Sequence, residues 1–103
     1  MPIIHVNKDN FQEILDNNKV VVFDFYANWC GPCRMLGQVL EEMVANDDLL
    51  VVAKINCDEE GELAQAFKIR SIPQLYIAKD GKVVKNISGY VGSDVILEAI
   101  KEC

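Results

Sequence analysis

Residues 20–27, VVVFDFYA, form a run of β-branched and aromatic side chains broken by one carboxylate, Asp24. Such a run is expected of a strand buried on both faces, which other elements of the fold must cover on each side. A few residues later the pattern changes period. From Cys30 onward, Met35, Leu36, Val39, Leu40, Met43 and Val44 recur as one apolar stripe, with Arg34, Gln38, Glu41 and Glu42 off it. That is the signature of an amphipathic helix following the strand directly.

The remaining segments fit the same architecture. PIIHV is a short strand, and Asn7 is placed to cap a helix carrying Phe11, Ile14 and Leu15 that DNNK ends. LLVVAKIN is a second buried strand, and GELAQAFKI a short helix. QLYIAK and KVVKNIS flank Asp80-Gly81, a pair suited to a tight turn with positive φ, so they are expected to form a hairpin. Ser93 is placed to cap a last helix with Val95, Ile96, Leu97 and Ile100. The order βαβαβα then ββα implies parallel strands joined by right-handed crossovers, with an antiparallel hairpin at one edge.

A chain of 103 residues, half of them apolar, can bury a single core, so one domain over residues 1–103 is expected. The formal charge of −6 argues against nucleic acid, which selects basic surfaces. No apolar run approaches the roughly 18 residues of a membrane span, so no membrane partner is expected. MPIIHVNKDN lacks the basic and apolar regions of a secretory signal, and a cytoplasmic location is expected.

The four cysteines are unevenly spaced at 30, 33, 57 and 103. A zinc ribbon wants a second close pair, and His5 is the only histidine, so no metal is expected. Cys30 and Cys33 are then either a static staple or a redox pair. The strand-to-helix junction favours the second reading. A helix N-terminus offers free N–H groups and partial positive charge, which stabilise the thiolate that attacks disulfides. Gly31 leaves room for a tight turn above the sulfur, and Pro32 fits the first helical turn, where its missing N–H costs nothing. Cys30 is thus the expected nucleophile. Cys33, deeper in the helix, would resolve the mixed disulfide and must lose a proton to do so. Asp24, six residues upstream and desolvated by its neighbours, is the candidate proton acceptor. Lys54 occupies the matching place in VVAKIN, and the competing reading is a structural Asp24–Lys54 ion pair. Trp29 is either core or the rim of an exposed nucleophile. Pro73 in SIPQ is either a plain strand-start proline or part of the site. Cys57 and Cys103 have no cysteine nearby in sequence and are expected to be inert thiols.

Taken together, VVVFDFYANWCGPCRML, VAKINCDE, FKIRSIPQLYIAKDGK and SGYVG make the chain resemble the thioredoxin family over nearly its whole length. The resemblance implies an α/β thioredoxin fold, with a central five-stranded mixed sheet flanked by four helices. It implies that Cys30 attacks, Cys33 resolves, and Asp24 near Lys54 handles the proton. It further implies that Pro73 is cis, and that Trp29, Gly31, Pro32, Ile72, Pro73 and Gly89 rim the surface where substrate chains dock. The expected activity is reduction of disulfides in protein substrates by a monomer without a cofactor, re-reduced by a thioredoxin reductase. A thiol oxidant or isomerase on the same fold, or a non-catalytic subunit, are the alternatives. The Gly-Pro between the cysteines and the intact pair argue against them. Three positions depart from the family pattern: Tyr26 where a second Trp is frequent, Gln38 where a proline bends the helix, and Ala78 where an aromatic is usual.

Overall fold

The computed structural model describes residues 3–103. Five strands and four helices follow one another as β1 (Ile3–His5), α1 (Phe11–Asn17), β2 (Val20–Tyr26), α2 (Gly31–Ala45), β3 (Leu50–Asn56), α3 (Gly61–Ala66), β4 (Gln74–Lys79), β5 (Lys82–Ser88) and α4 (Ser93–Lys101). The sheet order is β1-β3-β2-β4-β5. β2 pairs in parallel with β3 and antiparallel with β4, so the strand with the most apolar sequence is central. The expected five-stranded mixed sheet flanked by four helices is what the chain forms. No helix among the described residues is long and apolar enough to cross a membrane.

Alternation along the strands splits the core in two. Val22, Val52, Leu75 and Ile77 face one side, where Leu36, Leu40, Met43 and Val44 of α2 and Ile96 of α4 cover them. Val21, Phe23, Phe25, Ala53 and Ile55 face the other, packed with Ile14 of α1 and Leu63 of α3. Phe11, Phe23, Phe25, Phe67 and Tyr76 lie on this second side, with the centroids of touching rings 4.9–5.8 Å apart. Asp24 belongs to the first side, directly beneath the layer that α2 provides, because its register partners are Lys54 and Leu75.

Several local expectations are corrected. The buried face of α2 is Cys33, Leu36, Gly37, Leu40, Met43 and Val44, and Met35 is 54 % exposed. Steps of three and four residues from Cys33 run through 36, 37, 40, 43 and 44, so Gly37 falls on the buried face and Met35 falls off it. Val95 and Leu97 are exposed for the same reason, and Ile96 and Ala99 do the burying. Asn7 caps a turn rather than the helix: its Oδ1 accepts from the backbone N–H of Asp9 and Asn10, and α1 starts at Phe11. Ser93 lies inside α4, with Gly92 at the cap position. The PIIHV strand is seen from Ile3, since Pro2 lies outside the described residues.

The helix expected over residues 61–69 stops at Ala66. Lys68 N–H bonds to Gln65 O at 3.0 Å and Ile69 N–H to Ala64 O at 2.9 Å, with Lys68 at φ 56°. These bonds form a Schellman stop, whose left-handed position usually holds glycine. A lysine there costs roughly 1 kcal/mol of backbone energy. Lys68→Gly is therefore expected to stabilise the chain by about 1 kcal/mol, read as a higher urea midpoint with unchanged m-value.

Candidate active site

Strand β2 ends at Tyr26 and α2 begins at Gly31, so the two cysteines stand where strand gives way to helix. Cys30 is the N-cap of α2, with extended backbone, and its Sγ accepts a hydrogen bond from the backbone N–H of Cys33 at 3.2 Å. Sulfur thus fills the role that Ser or Asp oxygen plays at most helix starts. The two residues are joined as a disulfide with Cα atoms 5.2 Å apart. Both are buried, Cys33 more than Cys30, among Ala27, Tyr26 and Ile72. The nucleophile expected to be exposed is thus largely covered in this oxidised state. Gly31 keeps a negative φ and makes no unusual turn. A side chain at Gly31 would meet only the Arg34 guanidinium, at 3.9 Å, so the glycine leaves the surface over the sulfur low.

Asp24 is fully buried, and neither carboxylate oxygen has a hydrogen-bond partner. Its nearest charge is the Lys54 ammonium, 3.7 Å from Oδ2, close enough to attract but beyond hydrogen-bond distance. Burial lifts the Asp24 carboxyl from the ordinary aspartate range to about 6, with Lys54 pulling in the opposite direction. The Lys54 side chain keeps 20 % of its surface exposed. Its Nζ lies 4.4 Å from the centre of the Tyr26 ring, a cation–π contact made by one of the residues that depart from the family pattern. A Cβ at Gly37 would stand 3.4 Å from the same Nζ. Gly37 therefore lets α2 settle onto the lysine. Cys33 and Gly37 are four residues apart on one face of α2, so Cys33 lies one turn, about 6 Å, along the helix from the glycine that faces the ammonium.

The remaining residues gather at the same end of the sheet. The Ile72–Pro73 bond is cis. Pro73 O accepts from the Gly89 N–H at 2.9 Å, and Gly89 has φ 84°, a conformation that other residues rarely adopt. Trp29 is 72 % exposed, and its indole Nε1–H donates to Asp58 at 3.0 Å. Trp29 is thus a surface residue rather than core. Sequence reasoning misses Asp58, and it misses Gly37 and the contact of Tyr26 with Lys54. Asp58 lies in the quoted VAKINCDE segment, and only its position after β3 brings it to Trp29.

The comparisons agree with this geometry. The family model for thioredoxin matches residues 2–102. The chain belongs to the thioredoxin family. It is 45 % identical over 95 residues to a thioredoxin of Chlorobaculum thiosulfatiphilum, covering 90 % of this chain and 88 % of that one. A solved structure of a mutant thioredoxin from Halobacterium salinarum superposes with a TM-score of 0.89 at 36 % identity, covering 97 % of this chain and 88 % of the other. A bifunctional thioredoxin reductase/thioredoxin of Mycobacterium leprae is 39 % identical over 93 residues, which are 89 % of this chain and 20 % of that protein. Thioredoxin-family proteins are protein-disulfide oxidoreductases, and this chain is one.

The raised Asp24 carboxyl has a stability consequence with a definite sign. In the unfolded chain Asp24 ionises near its ordinary value, about 3.9, whereas in the fold it ionises near 6. Between those values the unfolded chain holds fewer protons, so stability falls as pH rises and levels off above about 6. Asp24→Asn is expected to leave stability unchanged near pH 4 and to raise it by on the order of 2–3 kcal/mol at pH 7. Because Lys54 reaches solvent, removing its partner strands no buried ammonium. Denaturant melts of both oxidised proteins from pH 4 to 8 check this; a variant destabilised at pH 7 would instead favour the structural ion pair.

Proposed function

We propose that Cys30 attacks the substrate disulfide, that Cys33 resolves the product, and that Asp24 receives the proton Cys33 gives up. The observation that carries the reading is the Cys33 N–H directed at Cys30 Sγ from the first turn of α2. That N–H and the helix dipole favour negative charge on Cys30 once the pair is reduced.

The exchange balances in two steps. The Cys30 thiolate forms a bond to one substrate sulfur, the substrate disulfide breaks, and the released thiolate takes a proton from water. Cys33 then passes its proton to Asp24 and attacks Cys30 Sγ, forming the intramolecular disulfide and breaking the mixed one; the second substrate sulfur leaves as a thiolate and takes a proton from water. Two electrons move from the cysteine pair to the substrate. A carboxyl ionising near 6 is well matched to take a thiol proton near neutral pH, and Lys54, steadied by Tyr26, sets that value from the other side. Asp24 acts through its position under α2, and its lack of any hydrogen bond leaves both oxygens free to accept.

Trp29, Gly31, Pro32, Ile72, Pro73 and Gly89 are proposed as the docking rim. Extended substrate backbone can pair with main chain at the Pro73 loop, as peptides do at other exposed strand-like edges. Residues 1–103 are proposed to act as one domain and as a monomer. A thioredoxin reductase is the proposed electron donor, in keeping with the Mycobacterium leprae protein whose name joins the two activities. A disulfide reductase needs a reducing surround, so the cytoplasm is its proposed compartment.

Cys30→Ser is expected to abolish disulfide reduction, and Cys33→Ser to accumulate mixed disulfides through Cys30. Alkylation of the reduced protein near neutral pH should label Cys30 before Cys33, and faster labelling of Cys33 would reverse the assignment. In Asp24→Asn the first exchange should keep its rate while the resolving step slows, by about 10-fold or more, the lower end of general-base effects. Rapid-quench trapping of the mixed disulfide separates the two steps.

A further inference from the structure

Beside Pro73 the surface carries a feature that thiol exchange does not use. A cleft of about 280 Å³ lies between residues 68–71 and the β4–β5 pair. It adjoins the docking rim directly, because Gln74 follows the cis Pro73 and Ser88 precedes Gly89.

The chemistry of the cleft is one-sided. Lys68 and Arg70 bring two positive charges, and among the described residues neither side chain takes part in an ion pair or a hydrogen bond. Gln74 is more than nine-tenths buried. Its Oε1 accepts from Ser88 Oγ at 2.7 Å, which leaves the amide N–H₂ as a donor. Ser71 adds a hydroxyl and Asn86 an amide. The neighbouring Tyr76 hydroxyl is spent elsewhere, donating to Phe67 O at 3.2 Å. No acidic residue lines the cleft, in a chain with 16 of them and a net charge of −6. Lys68 also holds the left-handed position where a helix stop ordinarily uses glycine, so a charge stands at the cleft in place of the residue the backbone would favour.

Donors in excess and two unpaired cations select an anion that accepts hydrogen bonds. The cations are solvent-exposed, so a free anion would be held weakly. A carboxylate carried on a chain already docked at Pro73 arrives at high effective concentration instead. We propose that this cleft is a subsite for an Asp or Glu side chain of the substrate protein, close in sequence to the disulfide being reduced. The proposal rests on the docking rim assigned above. Its effect is on which disulfides are chosen: the attractive site stands out against the repulsion that an acidic substrate meets from the rest of the surface.

The test uses disulfide-bonded peptides in which one Glu is moved along the residues flanking the half-cystine, each with a Gln counterpart, and reads kcat/KM with the full chain. At one position Glu should be preferred over Gln by about three- to fivefold at low ionic strength, the size of two exposed charge pairs, and the preference should fade with salt. Lys68→Gln/Arg70→Gln should erase the preference while reducing the Gln peptides at the parent rate. Equal rates for Glu and Gln at every position, or a preference that survives in the double variant, would overturn the subsite. Failure of the parent chain to reduce even the Gln peptides would overturn the docking reading beneath it, and is told apart by that control.

Discussion

Strand β2 has a strand on each side and a helical layer on each face, and the site exists because of that enclosure. Apolar residues at Val21, Val22, Phe23 and Phe25 make the enclosure favourable, and Asp24 is carried in with them. A carboxyl in that place cannot be solvated, finds no hydrogen bond, and meets one positive charge at arm's length. The fold accepts this cost at one residue because the surrounding apolar burial exceeds it many times over. The same strand, by ending at Tyr26, delivers the chain to the start of α2 and fixes where Cys30 becomes a helix cap.

The ammonium of Lys54 is shared among three neighbours. It faces the Asp24 carboxyl, the Tyr26 ring and the surface of α2 at Gly37, while part of the side chain stays in water. A tighter ion pair would draw the carboxyl back toward ordinary acidity, and no lysine at all would leave it with burial alone. The arrangement holds Asp24 between those limits. Tyr26, which packs beside the cysteines, and Gly37 on α2 both set the charge environment beneath the pair.

Much of this can be read from residue order alone. The long apolar run, the following helical stripe and the Asp80-Gly81 turn each have a short-range physical cause, and the corresponding elements form where those causes lie. The Asp24–Lys54 juxtaposition is legible too, since two buried strands of equal length lie side by side. Sequence reasoning fails where the cause is tertiary or angular. Met35 reads as core because it is apolar, whereas its azimuth on α2 turns it outward. Asn7 and Ser93 are good caps by type, but the helices begin elsewhere because the turn before α1 and Gly92 before α4 set the starts. The helix at 61–66 ends on a left-handed lysine that no propensity would place there. Asp58 finds Trp29 across 29 residues, a separation at which local rules say nothing. The cis bond before Pro73 likewise follows only from the resemblance, as its local sequence carries no sign of it.

The sheet order also bears on when the site comes into being. Ala78 and Val83 of the β4–β5 hairpin are five positions apart, whereas Val22 must find Val52 and Ile77, thirty and fifty-five positions away. Closing the longest of these loops costs about 2 kcal/mol more in chain entropy than closing the hairpin, on logarithmic scaling. The hairpin and the helices can therefore form from local contacts, while the threading of β2 between its neighbours waits for distant segments to meet. Until that step α2 can already start at Cys30, but Asp24 is an ordinary solvated acid with no Lys54 beside it. The buried setting of Asp24 is thus a property of the finished sheet, acquired together with its last long-range pairing.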